Sequence, residues 1–427
     1  MTIVSPSPNL ALNELIARRR RAGHQLVHLG FGESRLPVPG FLAVRLLAGA
    51  DRNGYGQIGG EDDSRAAAAG YFSRRGIQAE PDQIVLAPGS KPILLALMAV
   101  LSGAVVLPRP CWVTYGPQAA LFGRTVIEVP VPATAGGVPD PDRLESALRT
   151  SRARGVRPTS MILTLPDNPT GTFASRDLVY RLADIAERED LLIISDEIYR
   201  DIVHDEQAGI TSPAELVPDR TVVTSGLSKS LALGGWRIGF ARFPATAAGA
   251  QLRARVLAVA SEVWSSLAGP MQEVASYVLS EPADVRAHLA ASTRLHARVA
   301  AGVYQAMSVA GFECRRPTGG FYLYPDLQPL RPVLARQGIH DSASLQHQLL
   351  ERHGIAVLGG HHFGDDPAAL RFRAATSMLY GEDAGSGWQA LASSDPLSLP
   401  QIAGQLDRIR QVFASLACVQ SLQAGRP

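Results

Sequence analysis

The chain has 427 residues, 46% hydrophobic and 19% charged, and a formal net charge of +2. That length is enough for two domains and a sizeable core, and so even a charge excludes the basic field of a nucleic-acid-binding protein. Three scattered cysteines, Cys111, Cys314 and Cys418, are too few for a disulfide framework or a zinc site.

The first element in chain order is an apolar-periodic "LALNELI" running into Arg18, Arg19, Arg20 and Arg21, which reads as the solvated end of a helix. The basic block follows the apolar part, the reverse of a secretory signal, so the expected location is the cytoplasm. Short buried-strand runs then recur: "QIVLA" at 83, "AVVLP" at 104, "SMILTLP" at 160, "LLIISDE" at 191, "TVVTSG" at 221 and "RIGFARF" at 237. Between several of them lie amphipathic stretches of helical length, such as "SKPILLALMAVL" and "SRDLVYRLADIAERED". This alternation predicts an α/β fold with a mostly parallel sheet covered by helices on both faces. The longest apolar stretch, "ILLALMAVLSGAVVL", holds 15 residues with a glycine break. A bilayer span needs about 20, so no membrane partner is expected.

After about residue 285 a long helical stretch, "VRAHLAASTRLHARVAAGVYQAMSVAG", precedes "GGFYLYPDL" and "ALRFRAATS", which read as strands of a smaller α+β unit. The expected division is an N-terminal segment, 1–35, packing on the small domain; a large domain, 36–285; and a small C-terminal domain, 286–427. The Ser/Gly-rich run at 380–399 reads as a surface insertion.

Functional groups in open α/β sheets gather at the carboxyl ends of the strands. Three polar motifs fall there: "LTLPDNPTGT" with Asn168, "IISDEIYRDI" with Asp196 and Tyr199, and "TSGLSK" with Lys229. Each alone is an ordinary turn or cap. Together, in this order, they suggest a site. "LAPGSKPILLAL" sets Gly89, Ser90 and Lys91 between a strand and a helix, where free N–H groups and the helix dipole favour an anion. It lacks the glycine spacing of a nucleotide-binding P-loop.

With "SGLSKSLALGGWRIGF" these motifs make the chain resemble the pyridoxal-phosphate-dependent aminotransferases of class I/II, of fold type I in the aspartate aminotransferase superfamily. The resemblance runs from "HLGFGES" to "LRFRAATS". It implies a seven-stranded sheet and a Lys229 joined to the cofactor as an internal aldimine. It implies Asp196 against the pyridine nitrogen, Asn168 and Tyr199 at the phenolic oxygen, and Trp112 stacked on the ring. It also implies a phosphate held by Gly89, Ser90, Lys91, Arg237 and a hydroxyl. Where serine is common three residues before the lysine stands Gly226, so Ser225 or Ser228 takes over, with Ser228 preferred. Tyr55 corresponds to a tyrosine reaching the phosphate of the other subunit in a homodimer with shared sites. Arg371, with Asn168 and Gly32, is expected to grip the substrate carboxylate. Arg373 reads as structural or as a second anion contact.

The expected reaction moves an amino group between an amino acid and a 2-oxo acid. A lyase, decarboxylase or oxidase on the same fold is the alternative, and a cofactor-binding regulator a remote one. Lys91 hints at a dicarboxylate, and Asp167 stands where asparagine is usual. No metal is expected: the adjacent His361 and His362 read as a loop or gating pair rather than ligands.

Overall fold

A computed structural model describes residues 6–205 and 208–418. Short β1 (Val27–His28) is followed by seven strands that form one sheet: β2 (Ile84–Ala87), β3 (Ala104–Arg109), β4 (Val126–Pro130), β5 (Pro158–Thr164), β6 (Leu192–Asp196), β7 (Thr221–Gly226) and β8 (Gly239–Arg242). Their order is β2-β8-β7-β6-β5-β3-β4, and only β8 runs antiparallel to its neighbours. The expected parallel sheet is therefore present.

Its strands read as continuous apolar runs because both faces are buried, and the pleat sends alternate residues to opposite layers. Val105, Ile162 and Ile194 pack with Ile93, Leu94, Leu97 and Val256 on one side. Their sequence neighbours Val106, Met161, Leu163 and Ile193 pack with Leu144, Leu148, Val179 and Leu182 on the other. The 15-residue apolar stretch divides at Gly103 (φ +76°), where the helix Ser90–Val100 gives way to β3.

The remaining strands are β9 (Tyr322–Leu323), β10 (Ile355–Ala356), β11 (Leu358–Gly359) and β12 (Phe372–Ala375). They form a three-stranded sheet β11-β12-β9 and the parallel pair β1-β10. Through that pair the N-terminal segment joins the C-terminal core: Val27, Leu29 and Leu36 pack with Leu295, Val299, Leu406 and Phe413. The long helix Ala283–Val309 begins two residues before the expected division at 285. The run 380–399 contains a helix, Ala384–Ala392, capped by the Asp383 side chain, and its Ala390 is buried in the same core. The Arg18–Arg21 cluster does end a helix, Pro8–Arg21. Among the described residues no helix is long and apolar enough to cross a membrane.

Candidate active site

A cavity of about 460 Å³ opens at the carboxyl ends of the parallel strands. The segment after β2 contributes Ser90 and Lys91, the one after β3 Trp112 and Tyr115, and the one after β5 Asn168. Asp196 ends β6, while Ser228 and Lys229 follow β7. The N-terminal segment adds Asn9, Gly32 and Glu33, and the small sheet adds Tyr322 and Arg373. The chain's only two lysines, Lys91 and Lys229, both line this cavity.

Lys229 donates from Nζ to the Gly32 carbonyl at 2.5 Å. Burial, then the nearby Arg373 charge, lowers its pKa to about 8, with Glu33 opposing. Asp196 also lines the cavity and is 3% exposed. Its Oδ2 accepts from the Tyr115 hydroxyl at 2.8 Å and its Oδ1 from Thr224 at 3.2 Å. Burial raises its pKa to about 6, against the pull of those bonds. No cation pairs with it among the described residues. A buried carboxylate of this kind suits a cationic ring nitrogen.

The anion cradle is built by backbone. Gly89 has φ +91° and caps the helix Ser90–Val100, whose first N–H groups have no side-chain cap. Arg237 also lies in the left-handed region, at φ 59°, a sparsely populated conformation for a side-chain-bearing residue. That geometry lays its guanidinium over Gly89, where a Cβ would collide with it. Among the described residues Arg237 donates to the carbonyls of Gly234 and Pro88 and meets no carboxylate. Ser228 lines the cavity, whereas Ser225 is buried and turns its hydroxyl to the Glu197 carbonyl.

The two arginines of "LRFRAATS" part company. Arg371 does not line this cavity, contrary to the expectation for it. Its Nε lies 2.8 Å from Asp326 and its Nη1 3.2 Å from Asp365, against a second hollow. Arg373 is 1% exposed and lines the cavity. It donates to Asn168 Oδ1 (3.1 Å), Asn9 Oδ1 (2.8 Å) and the Gly30 carbonyl (2.8 Å), all neutral. Its Nε is buried without a partner. The pleat puts both arginines on one face, but two residues are about 7 Å of strand, and only the later one reaches the cavity. Within it Arg373 is a buried cation with unspent donors, the signature of a carboxylate receptor.

Of the other expected residues, Tyr199 is buried, lines the cavity, and shares a hydrogen bond of 2.7 Å with the Tyr322 hydroxyl. Trp112 forms part of the wall, with Lys91 Nζ 5.2 Å from its ring centre. Gly89 sits behind Ser90, as the helix cap. Tyr55 is 94% exposed and lies in a separate depression with Arg52 and Glu61, outside its own chain's cavity. His361 bonds Ser342 at 2.8 Å within the short turn Gly360–Phe363, and neither His361 nor His362 lines the cavity. No cluster of metal-ligating side chains occurs among the described residues.

Tyr115, Tyr322 and Asn9 went unnoticed in the sequence. Tyr115 stands three residues beyond Trp112, a helical spacing that could have flagged it. Asn9 meets Arg373 across 364 positions, and no local pattern marks such a contact.

The donor set fits pyridoxal phosphate: an amine of lowered pKa, an anionic partner for a ring nitrogen, an open-capped helix with an unneutralised arginine, and an orphaned guanidinium N–H. Similarity to known proteins agrees. The sequence model of the family described as aminotransferase class I and II matches residues 26–378. An aspartate/prephenate aminotransferase of Cereibacter sphaeroides is 30% identical over 377 residues, covering 85% of this chain and 90% of its own. A bifunctional aspartate aminotransferase and glutamate/aspartate-prephenate aminotransferase of Petunia hybrida is 32% identical over 390 residues, 88% of this chain and 78% of its own. The solved aspartate aminotransferase from Thermus thermophilus with maleate shares the fold, with a TM-score of 0.80 at 24% identity over 97% of both chains. With the cavity, the family match and these relatives in agreement, the chain belongs to the class I and II aminotransferases, pyridoxal-phosphate-dependent transferases of fold type I.

Proposed function

We propose that the chain transfers the amino group of a dicarboxylic amino acid to a 2-oxo acid, with Lys229 as the residue that holds the cofactor covalently and moves the proton. The observation that carries this reading is one cavity that gathers Lys229, the buried Asp196, and three cations with no acidic partner, Lys91, Arg237 and Arg373. When bound, pyridoxal phosphate withdraws electrons from the substrate Cα so that its proton becomes removable.

The protein's residues do the rest. Arg237, Ser90, Ser228 and the N–H groups after Gly89 hold the phosphate. Asp196, kept in place by Tyr115 and Thr224, keeps the ring nitrogen protonated. Asn168 and Tyr199 offer donors to the phenolic oxygen, and Trp112 covers the ring. Arg373 takes the α-carboxylate, because Arg371 is already neutralised by two aspartates. Lys229, freed when substrate binds, lifts the proton from Cα as a neutral amine. Lys91 remains for a second carboxylate, and its pKa is lowered by burial and then by Arg237.

Comparing kcat/KM for glutamate and alanine in Lys91→Met tests the substrate class. The loss should be at least tenfold greater for glutamate. Equal losses would leave Lys91 a phosphate or structural residue and discard the dicarboxylate.

The functional unit we propose is a homodimer in which Tyr55 reaches the partner's phosphate site, with residues 1–35 and 286–427 forming the smaller unit that carries Arg373. Support comes from exposed apolar groups: Val44 (65%) and Leu47 (76%) on the helix Gly40–Ala48, followed by Tyr55.

A further inference from the structure

Tyr322 occupies a junction that the proposed reaction leaves unused. It lies on β9 opposite Ala375 of β12, 1% exposed, with its hydroxyl at the cavity wall. That hydroxyl is 2.7 Å from the Tyr199 hydroxyl. The two rings meet edge to face, 5.4 Å apart at 80°. The Arg373 guanidinium lies 4.8 Å from the Tyr322 ring centre. Tyr322 thus touches both the residue proposed for the cofactor's phenolic oxygen and the one proposed for the substrate carboxylate.

Each phenol has one proton to donate, and geometry decides where the two go. Among the described residues the other acceptor for Tyr322 Oη is the Gly32 carbonyl, at 3.5 Å. A separation of 3.5 Å is long for an O–H···O bond, whereas 2.7 Å is ideal. Either phenol can donate across the 2.7 Å contact, and when an anionic oxygen in the cavity takes the Tyr199 proton, the Tyr322 proton is the one left to bridge the pair. In that arrangement Tyr199 accepts from Tyr322 and donates into the cavity. A cation over the Tyr322 ring strengthens that phenol as a donor, and donors in series polarise one another.

We propose that Tyr322 is a positioning residue: it fixes Tyr199 as a hydrogen-bond donor toward the cofactor's phenolic oxygen and ties that donor to Arg373. The inference rests on the reading of Tyr199 given above. The charged groups facing Tyr322 are Arg373 over its ring, Lys229 across the Gly32 carbonyl, and the buried Asp167.

The test is a pH titration of the visible cofactor band in the holoenzyme, for Tyr322→Phe, Tyr199→Phe and the double variant. A donor to the phenolic oxygen stabilises its anion, so weakening it raises the midpoint. Tyr199→Phe should raise it by about one pH unit or more and Tyr322→Phe by about half a unit, one unit being a tenfold change. The double variant should titrate as Tyr199→Phe alone. Phenylalanine keeps the ring against Tyr199, Phe321 and Arg373, so KM for the carboxylate substrate should stay within about twofold. A purely structural role would move KM and thermal stability and leave the titration in place. Wild-type titration in Tyr322→Phe, with a shift in Tyr199→Phe, overturns the proposal. So does a further shift in the double variant, which would mean Tyr322 acts independently of Tyr199. Wild-type titration in Tyr199→Phe overturns instead the reading of Tyr199 on which the proposal stands.

Discussion

At the residue scale the cavity is organised by burial acting on charge. Lys229 has its pKa lowered from the ordinary lysine value to about 8, so its neutral fraction grows as pH rises toward 8. Covalent capture of the cofactor needs the neutral amine. The rate of cofactor uptake by cofactor-free protein should climb with pH and level off above about 8. Arg373→Gln removes a charge that lowers the Lys229 pKa, so the plateau should move to higher pH. Stopped-flow absorbance at several pH values measures both. Asp196 has the opposite sign. Its folded pKa, about 6, lies above the carboxylate value of 3.8. Ionisation is thus disfavoured by folding, and stability from this group falls as pH rises through the interval from 3.8 to 6. Without cofactor at pH 8, Asp196→Asn should be more stable than the parent by up to about 3 kcal/mol. With cofactor the order should reverse, as denaturation with and without pyridoxal phosphate would show. That Lys229, Asp196, Asn168 and Arg237 would gather at one cavity was legible in the sequence because each sits in a short motif at a strand end. Arg371 misled because motif position cannot show which arginine is already neutralised, and Asp326 and Asp365 lie 45 and 6 positions from it. Arg373→Gln should cost every amino donor about 2–5 kcal/mol in kcat/KM, the range for truncating a buried charge pair. Arg371→Gln should act mainly on stability.

At the element scale the sheet was readable because a strand buried on both faces must be apolar throughout, and the six runs quoted from the sequence all lie in it. β9 and β12 lie within the two runs read as strands of the smaller unit, whereas the short β1, β10 and β11 were less legible. Two-residue strands carry no periodicity, and β1 finds its partner β10 more than 300 positions away. The 380–399 run read as a surface insertion from its Ser and Gly content, and within it a side-chain cap at Asp383 and burial of Ala390 support a helix. The cradle element has a sharp requirement at Gly89, where a left-handed φ and the Arg237 guanidinium both exclude a Cβ. Gly89→Ala should weaken cofactor affinity by at least about tenfold, equivalent to about 1.4 kcal/mol, while adding backbone strain. Equilibrium titration with pyridoxal phosphate checks it.

At the scale of the whole molecule, the cavity draws on the sheet's carboxyl edge, the N-terminal segment and the small C-terminal sheet at once, so substrate contacts depend on their packing. Tyr55 is exposed and outside its own cavity, so its proposed role depends on the proposed dimer. Mixing Tyr55→Phe with Lys229→Ala subunits places both lesions in one site of each heterodimer and frees the other, so activity should partly return. No recovery after demonstrated subunit exchange would contradict a shared site. The most direct measurement concerns the amine itself. Borohydride reduction of the holoenzyme followed by peptide mapping has only two lysine side chains to distinguish, Lys91 and Lys229. The account predicts the reduced cofactor on the peptide containing Lys229 and none on Lys91. A label on Lys91, or no label in protein that retains the cofactor, would contradict it.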